Sequence, residues 1–160
     1  MAALTRIISG GQTGADQGGL EAAERLGIPT GGWMPRGFLT ESGLRPEFAA
    51  RYGMREHAAA EYAARTEANV CDADATLIVG DVVSIGSRNT KEFCATHGKP
   101  CYVLPWRSGE PVPLEAVADF RRWLADNGIG ILNVAGNRES GQPGIHAATR
   151  EFLLAALAIR

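Results

Sequence analysis

Near the start of the chain runs the stretch Arg6-Ile7-Ile8-Ser9-Gly10-Gly11-Gln12-Thr13-Gly14-Ala15-Asp16. Its first four residues contain a β-branched apolar pair, which predicts a strand. Three glycines, at positions 10, 11 and 14, follow that run. Residues 17–26 then have helical composition, and Gly27 is placed to end the helix. A strand, a glycine-rich loop and a helix in this order predict an α/β domain with parallel strands.

The same alternation continues along the chain. Strand-like runs recur at residues 28–33, 75–79, 101–104 and 131–134, and helical patterns at residues 58–71, 90–97, 113–127 and 145–159. Prolines and glycines make the segment 34–57 irregular in this interpretation. The pattern predicts a Rossmann-like three-layer α/β sandwich with a mostly parallel sheet of about five strands. No linker is visible, so residues 1–160 are read as a single ligand-binding domain.

Composition narrows the class of protein. The chain has 160 residues, 45% hydrophobic and 21% charged, with a formal net charge of −2, which is ordinary for a globular protein. No basic run indicates nucleic-acid binding, and no apolar stretch is long enough to span a membrane. Three cysteines without metal-ligand spacing argue against a disulfide framework and a structural zinc site. We therefore expect a reduced cytoplasmic protein.

The glycine-rich loop is the first candidate site. In a parallel sheet, ligands bind beyond the carboxyl ends of the strands, where this loop lies. Glycines let the backbone approach a ligand, and the following helix start offers free N–H groups to an anion. The loop therefore predicts a phosphate site built from Gly10, Gly11, Gln12, Thr13, Gly14 and Asp16. The alternative is a glycine turn in which Thr13 or Asp16 caps the helix.

Other loops at the same edge carry further candidates. Hydroxyls and a helix start at Gly86, Ser87 and Thr90 can hold a polar group, or Thr90 is simply a helix cap. Asn133, Arg138 and Ser140 either contact phosphate or form a surface loop. Trp33 beside Arg36 either stacks on a planar ring or lies in the core. Arg65 either reaches the pocket or is solvated. No set of residues is assigned as catalytic or as metal ligands.

Several of these motifs together resemble a known family. They are residues 10–16, 31–37, 65–70, 74–79 and 132–136, with Glu139-Ser140. In this combination the chain resembles the molybdenum cofactor carrier family, a circularly permuted branch of the group that includes the YpsA-like and lysine-decarboxylase-like proteins. The resemblance implies a Rossmann-like fold and a homodimer or homotetramer.

The resemblance also implies a ligand and the residues that hold it. The ligand is the molybdenum cofactor, a pyranopterin with a terminal phosphate and a dithiolene-held metal. The phosphate role falls on Gly11, Gln12, Thr13 and Gly14, and supporting roles fall on the 86–90 loop, Asn133 and Ser140.

Three functions stay open from the sequence. The first is a non-catalytic carrier of the molybdenum cofactor or another phosphate-containing ligand. The second is a protein that senses a nucleotide or ADP-ribose, because one anion loop serves any phosphate. The third is a nucleotide N-glycosidase with Glu92 or Asp16 as the carboxylate. Enzymes of the wider group carry Gly-Gly-x-Gly-Thr-x-x-Glu, and the spacing of residues 86–92 departs from it.

Overall fold

A computed structural model describes residues 4–158. Its main sheet has six strands: β1 (Arg6–Ser9), β2 (Thr30–Met34), β5 (Met54–Glu56), β6 (Ala75–Val79), β7 (Cys101–Leu104) and β8 (Ile131–Gly136). They are parallel and lie in the order β5-β2-β1-β8-β6-β7. A short antiparallel hairpin, β3 (Leu39–Thr40) and β4 (Gly43–Leu44), lies outside the sheet. The predicted Rossmann-like fold is confirmed, with six strands in place of about five.

Helices cover the sheet in two groups. They are α1 (Ala15–Leu26), α2 (Phe48–Tyr52), α3 (Tyr62–Asp72), α4 (Ile85–Thr96), α5 (Val117–Asp126) and α6 (Ile145–Leu157), with a 3-10 turn at Leu114–Ala116 before α5. Helix α6 packs against α1 and α5, while α3 packs against α4. No helix among residues 4–158 has the length and apolar character needed to cross a membrane.

The core follows from the strand pattern. All five residues of β6 are buried, as its uninterrupted apolar run predicts for a strand covered on both faces. Phe120 and Phe152 are fully buried, and their ring centroids lie 5.4 Å apart between α5 and α6. Strands β1, β8 and β6 are neighbours because they pair in parallel, so the loops that follow them meet at one edge of the sheet.

Two regions differ from the sequence-based prediction. The segment read as irregular contains the hairpin, α2 and the edge strand β5. Helix α4 begins five residues earlier than expected, because Ser84 is its N-cap and accepts a hydrogen bond from the Ser87 amide. Thr90 therefore lies inside the helix and is not its cap. Its hydroxyl donates to the Gly86 carbonyl (2.9 Å).

Candidate functional site

A cavity of about 470 Å³ opens at the carboxyl edge of the sheet. Its walls come from the β1–α1 loop with the start of α1, the start of α3, the β6–α4 turn with the first turns of α4, and the end of β8 with the β8–α6 loop. Of the residues proposed from the sequence, it is lined by Gln12, Asp16, Arg65, Gly86, Thr90, Arg138 and Ser140. The structure thus brings together side chains from four separate loops or helices, at the edge where a parallel sheet binds its ligands.

Two arginines lie close to one aromatic ring in this cavity. The guanidinium carbon of Arg138 lies 4.8 Å from the Tyr62 ring centroid, and that of Arg65 lies 5.5 Å from it. The Arg65 side chain is only 11% exposed, and its Nε has no hydrogen-bond partner among the described residues. Burial lowers the pKa of Arg65, although Asp16 opposes this. The arrangement offers two cations beside a planar surface.

Asp16 lies at the inner end of the cavity. Its Oδ2 accepts a hydrogen bond from the Gln12 amide (3.2 Å) and lies 3.5 Å from Nη1 of Arg65. Burial raises the pKa of Asp16 to about 6, against the opposing effects of Arg65 and the nearby backbone amides. This carboxyl group therefore titrates close to neutral pH.

The glycine-rich loop is arranged differently from the expected phosphate cradle. The Gly11 amide donates to Ser9 Oγ (3.1 Å), the Thr13 amide to Gln12 Oε1 (3.0 Å), and the Ala15 amide to the Asn137 carbonyl (3.2 Å). Asp16 accepts from the Gln12 amide, so four amides of this loop bind the chain's own acceptors. The expectation of free amides for phosphate therefore needs correction: Asp16 folds back onto the loop.

The glycines of this loop serve close packing. Among the predicted residues, Gly10, Gly11, Thr13 and Gly14 do not line the cavity. A side chain at Gly14 would overlap the Asn137 carbonyl oxygen, and Gly14 has a φ of +85°. Glycine is needed there because the β1–α1 and β8–α6 loops touch through their backbones.

Four other predicted residues lie outside the cavity lining. Trp33 donates from Nε1 to Asp72 (2.9 Å), so its indole is held at the far end of α3. Arg36 is exposed. Asn133 is buried and donates to the Thr76 hydroxyl (3.2 Å), which links β8 to β6. Ser87 is buried in the first turn of α4.

Several lining residues were not proposed from the sequence. They include Tyr62, Asp81, Asn89 and Asn137. The Asn137 side chain accepts from the Asp81 amide (2.8 Å) and donates to Ser84 Oγ (3.2 Å), so it joins the two loops that form one wall. Asn137 directly follows β8, and this position could have predicted that its side chain lies at the carboxyl edge of the sheet. Tyr62 carried none, because its role depends on how α3 returns to the sheet edge.

Comparison with known proteins assigns the family. Residues 7–157 match the circularly permutated YpsA SLOG family. The chain belongs to this family. This chain is similar to a solved crystal structure, that of a protein from Syntrophus aciditrophicus SB named "Putative molybdenum carrier protein". The two structures superimpose with a TM-score of 0.88, and their sequences are 38% identical. The match covers 99% of this chain and 97% of the other. The resemblance drawn from the motifs is confirmed. None of the curated proteins matches the chain.

Proposed function

We propose that this chain binds and carries the molybdenum cofactor in the cavity beside Tyr62. The observation that carries the proposal is that two cations, Arg65 and Arg138, lie close to one aromatic ring, Tyr62, within a single cavity. Guanidinium groups form bidentate hydrogen bonds to phosphate, and an aromatic face stacks on a planar heterocycle. The cofactor combines a terminal phosphate with a pterin ring system, so both features have a use.

Unpaired donors support a ligand in this place. Nε2 of Gln12 and Nε of Arg65 are buried and have no partner among the described residues, and both side chains line the cavity. A buried donor without an acceptor costs about 1–3 kcal/mol. A ligand that brings oxygen acceptors into the cavity removes that cost. The volume of about 470 Å³ is also within the range of small-molecule sites.

The metal needs no ligand from the protein in this proposal. The dithiolene of the cofactor supplies sulfur to molybdenum, so the protein recognises the phosphate and the pterin. Among residues 4–158, no group of three or more His, Cys, Asp or Glu side chains is placed to hold a metal ion. Carriage then consists of binding the organic part and shielding it from water and oxidants.

The carrier proposal is tested by co-purification. The protein is purified from a host that makes the cofactor, and bound molybdenum and the fluorescence of the oxidised pterin are measured. Wild type is expected to carry both, Arg65→Gln to lose most of both, and Arg107→Gln to match wild type, because Arg107 is exposed and does not line the cavity. If wild type carries neither molybdenum nor pterin, and nucleotides or ADP-ribose raise its thermal stability, the result would favour the sensor hypothesis instead.

One observation favours a hydrolase as the second candidate. Asp16 lies in the cavity with a pKa of about 6, which suits a group that accepts and returns a proton near neutral pH. Glu92, the other carboxylate considered, is exposed on α4 and does not line the cavity. A nucleotide N-glycosidase would release free base from nucleoside monophosphates, and Asp16→Asn would abolish that release. No base release by wild type would end this candidate.

Assembly and location remain predictions. The family resemblance predicts a homodimer or homotetramer, and light scattering on the purified protein measures this directly. The single-domain reading and the cytoplasmic location also remain predictions. A small phosphorylated ligand is the one partner that the cavity itself suggests.

A further inference from the structure

Glu41, at the tip of the β3–β4 hairpin, is bound by three hydrogen-bond donors. Its Oε1 accepts from the Thr13 hydroxyl (2.6 Å) and the Ser140 amide (3.2 Å), and its Oε2 accepts from the Ser140 hydroxyl (2.7 Å). These donors come from two different strand-to-helix loops at the carboxyl edge of the sheet. An exposed carboxylate is thus held by loops that otherwise face a ligand cavity.

The donor set is suited to an anion. The Thr13 oxygen accepts a hydrogen bond from the Glu139 amide (3.3 Å), which directs the Thr13 proton toward Glu41. Partial desolvation opposes ionisation of Glu41, but the bonds from Thr13 and Ser140 and the charge of Arg138 outweigh it and hold the pKa of Glu41 below its usual value. The same donors would bind the oxygens of a phosphate group equally well.

The hairpin lies outside the main sheet and contacts the strand-to-helix loops through its tip. Its two strands pair only with each other, and Leu44 is 63% exposed. At the tip, the Glu41 amide donates to Gln12 Oε1 (2.9 Å), the same oxygen that accepts from the Thr13 amide. Gln12 is only 5% exposed, lines the cavity, and has no partner for Nε2 among the described residues. The tip therefore rests on a side chain that still has a donor free for a ligand.

We propose that Glu41 is an internal substitute for the anionic group of the ligand, so that a phosphate group binds to Thr13 and Ser140 only when the Glu41 carboxylate leaves. This inference rests on the proposed binding function and adds a competitor at the edge of that site, because Ser140 lines the cavity whereas Thr13 and Glu41 lie beside the lining. The Ser140 amide and hydroxyl cannot donate to the Glu41 carboxylate and to a phosphate group at the same time. The negative charges of these two groups, brought to the same donors, would also repel each other. The hairpin then acts as a latch, closed by Glu41 when the site is empty and released by the ligand.

The test measures pyrophosphate binding by isothermal titration calorimetry at pH 7.5. Glu41→Ala is expected to bind pyrophosphate at least fivefold more tightly than wild type, because the competing carboxylate is gone. Glu115→Ala removes one exposed charge from the 3-10 turn, outside the cavity lining, and is expected to stay within twofold of wild type. Adding Ser140→Ala to Glu41→Ala is expected to remove the gain.

A second measurement follows the hairpin. Pyrophosphate is expected to increase amide hydrogen exchange at residues 38–45 of wild type, and Glu41→Ala is expected to show that faster exchange without ligand. Equal or weaker pyrophosphate binding by Glu41→Ala, or no binding by either protein, would overturn the latch. Cofactor that co-purifies with wild type would leave the carrier proposal standing in that case, so the two failures are distinguishable.

Discussion

Replacing Asp16 with Asn is expected to change how stability depends on pH. The pKa of Asp16 is raised from 3.8 to about 6 in the folded protein, chiefly by burial. The folded state therefore keeps a proton that the unfolded state has lost between these two values. The stability from protonated Asp16 is fully present below pH 3.8 and is lost as pH rises through 6. At about 1.4 kcal/mol for each unit of pKa, the total is about 3 kcal/mol.

Urea unfolding between pH 3.5 and 7.5 measures this effect. The free energy of unfolding of wild type, minus that of Asp16→Asn, is expected to fall by about 3 kcal/mol from the acid end to the neutral end. Glu21, Glu24 and Glu41 have lowered pKa values, so their contributions are lost as pH falls below about 4.5. Wild type and Asp16→Asn both contain these three glutamates, so their contributions cancel in the difference between the two free energies of unfolding. A difference that stays flat or rises with pH would show that the pKa of Asp16 is not raised in the folded protein.

Three further predictions concern packing, strand ends and the aromatic ring. Gly32→Ala is expected to lower the free energy of unfolding by at least about 3 kcal/mol, because φ of Gly32 is +130° and the added methyl group would overlap the Ser9 carbonyl oxygen. The control is Gly86→Ala, whose methyl group enters open space. Thermal unfolding is expected to show that Gly86→Ala is neutral or stabilising. Asp74→Ala is expected to cost about 1–2 kcal/mol in urea unfolding, because Asp74 accepts from two backbone amides at the start of β8, those of Ile131 (2.8 Å) and Gly130 (2.9 Å). Its control is Asp126→Ala, which removes an exposed carboxylate at the end of α5. Tyr62→Leu is expected to weaken cofactor binding by about twofold to tenfold while Tyr62→Phe keeps it, as pterin fluorescence titration would show; equal loss in both would argue against stacking.

Much of the fold could be predicted from the sequence because buried parallel strands leave a local signal. The apolar runs predicted β6 (Ala75–Val79) and β7 (Cys101–Leu104) with the bounds that the structure has. The edge strand β5 was missed because it has three residues and only Met54 is buried. The start of α4 was missed because Ser84, its cap, precedes a segment whose glycine and serine are typical of loops.

The candidate site was less predictable because it depends on distant contacts. Arg65 and Arg138 were proposed from their loops, and the structure places both at the cavity. Trp33 was proposed as an aromatic platform, but its indole bonds to Asp72, 39 residues away, and Tyr62 takes the place beside the cations. The return of Asp16 onto its own loop also has no local signal, since Asp at a helix start ordinarily interacts with the helix.

The central claim is that the cavity beside Tyr62 holds a phosphorylated ligand between two arginines. A crystal structure of the protein purified from a cofactor-producing host tests it most directly. We expect density for the phosphate group in contact with Arg65 and Arg138, with the pterin against Tyr62. Ligand density on the opposite side of the sheet or beside Trp33, with this cavity filled only by solvent, would contradict it.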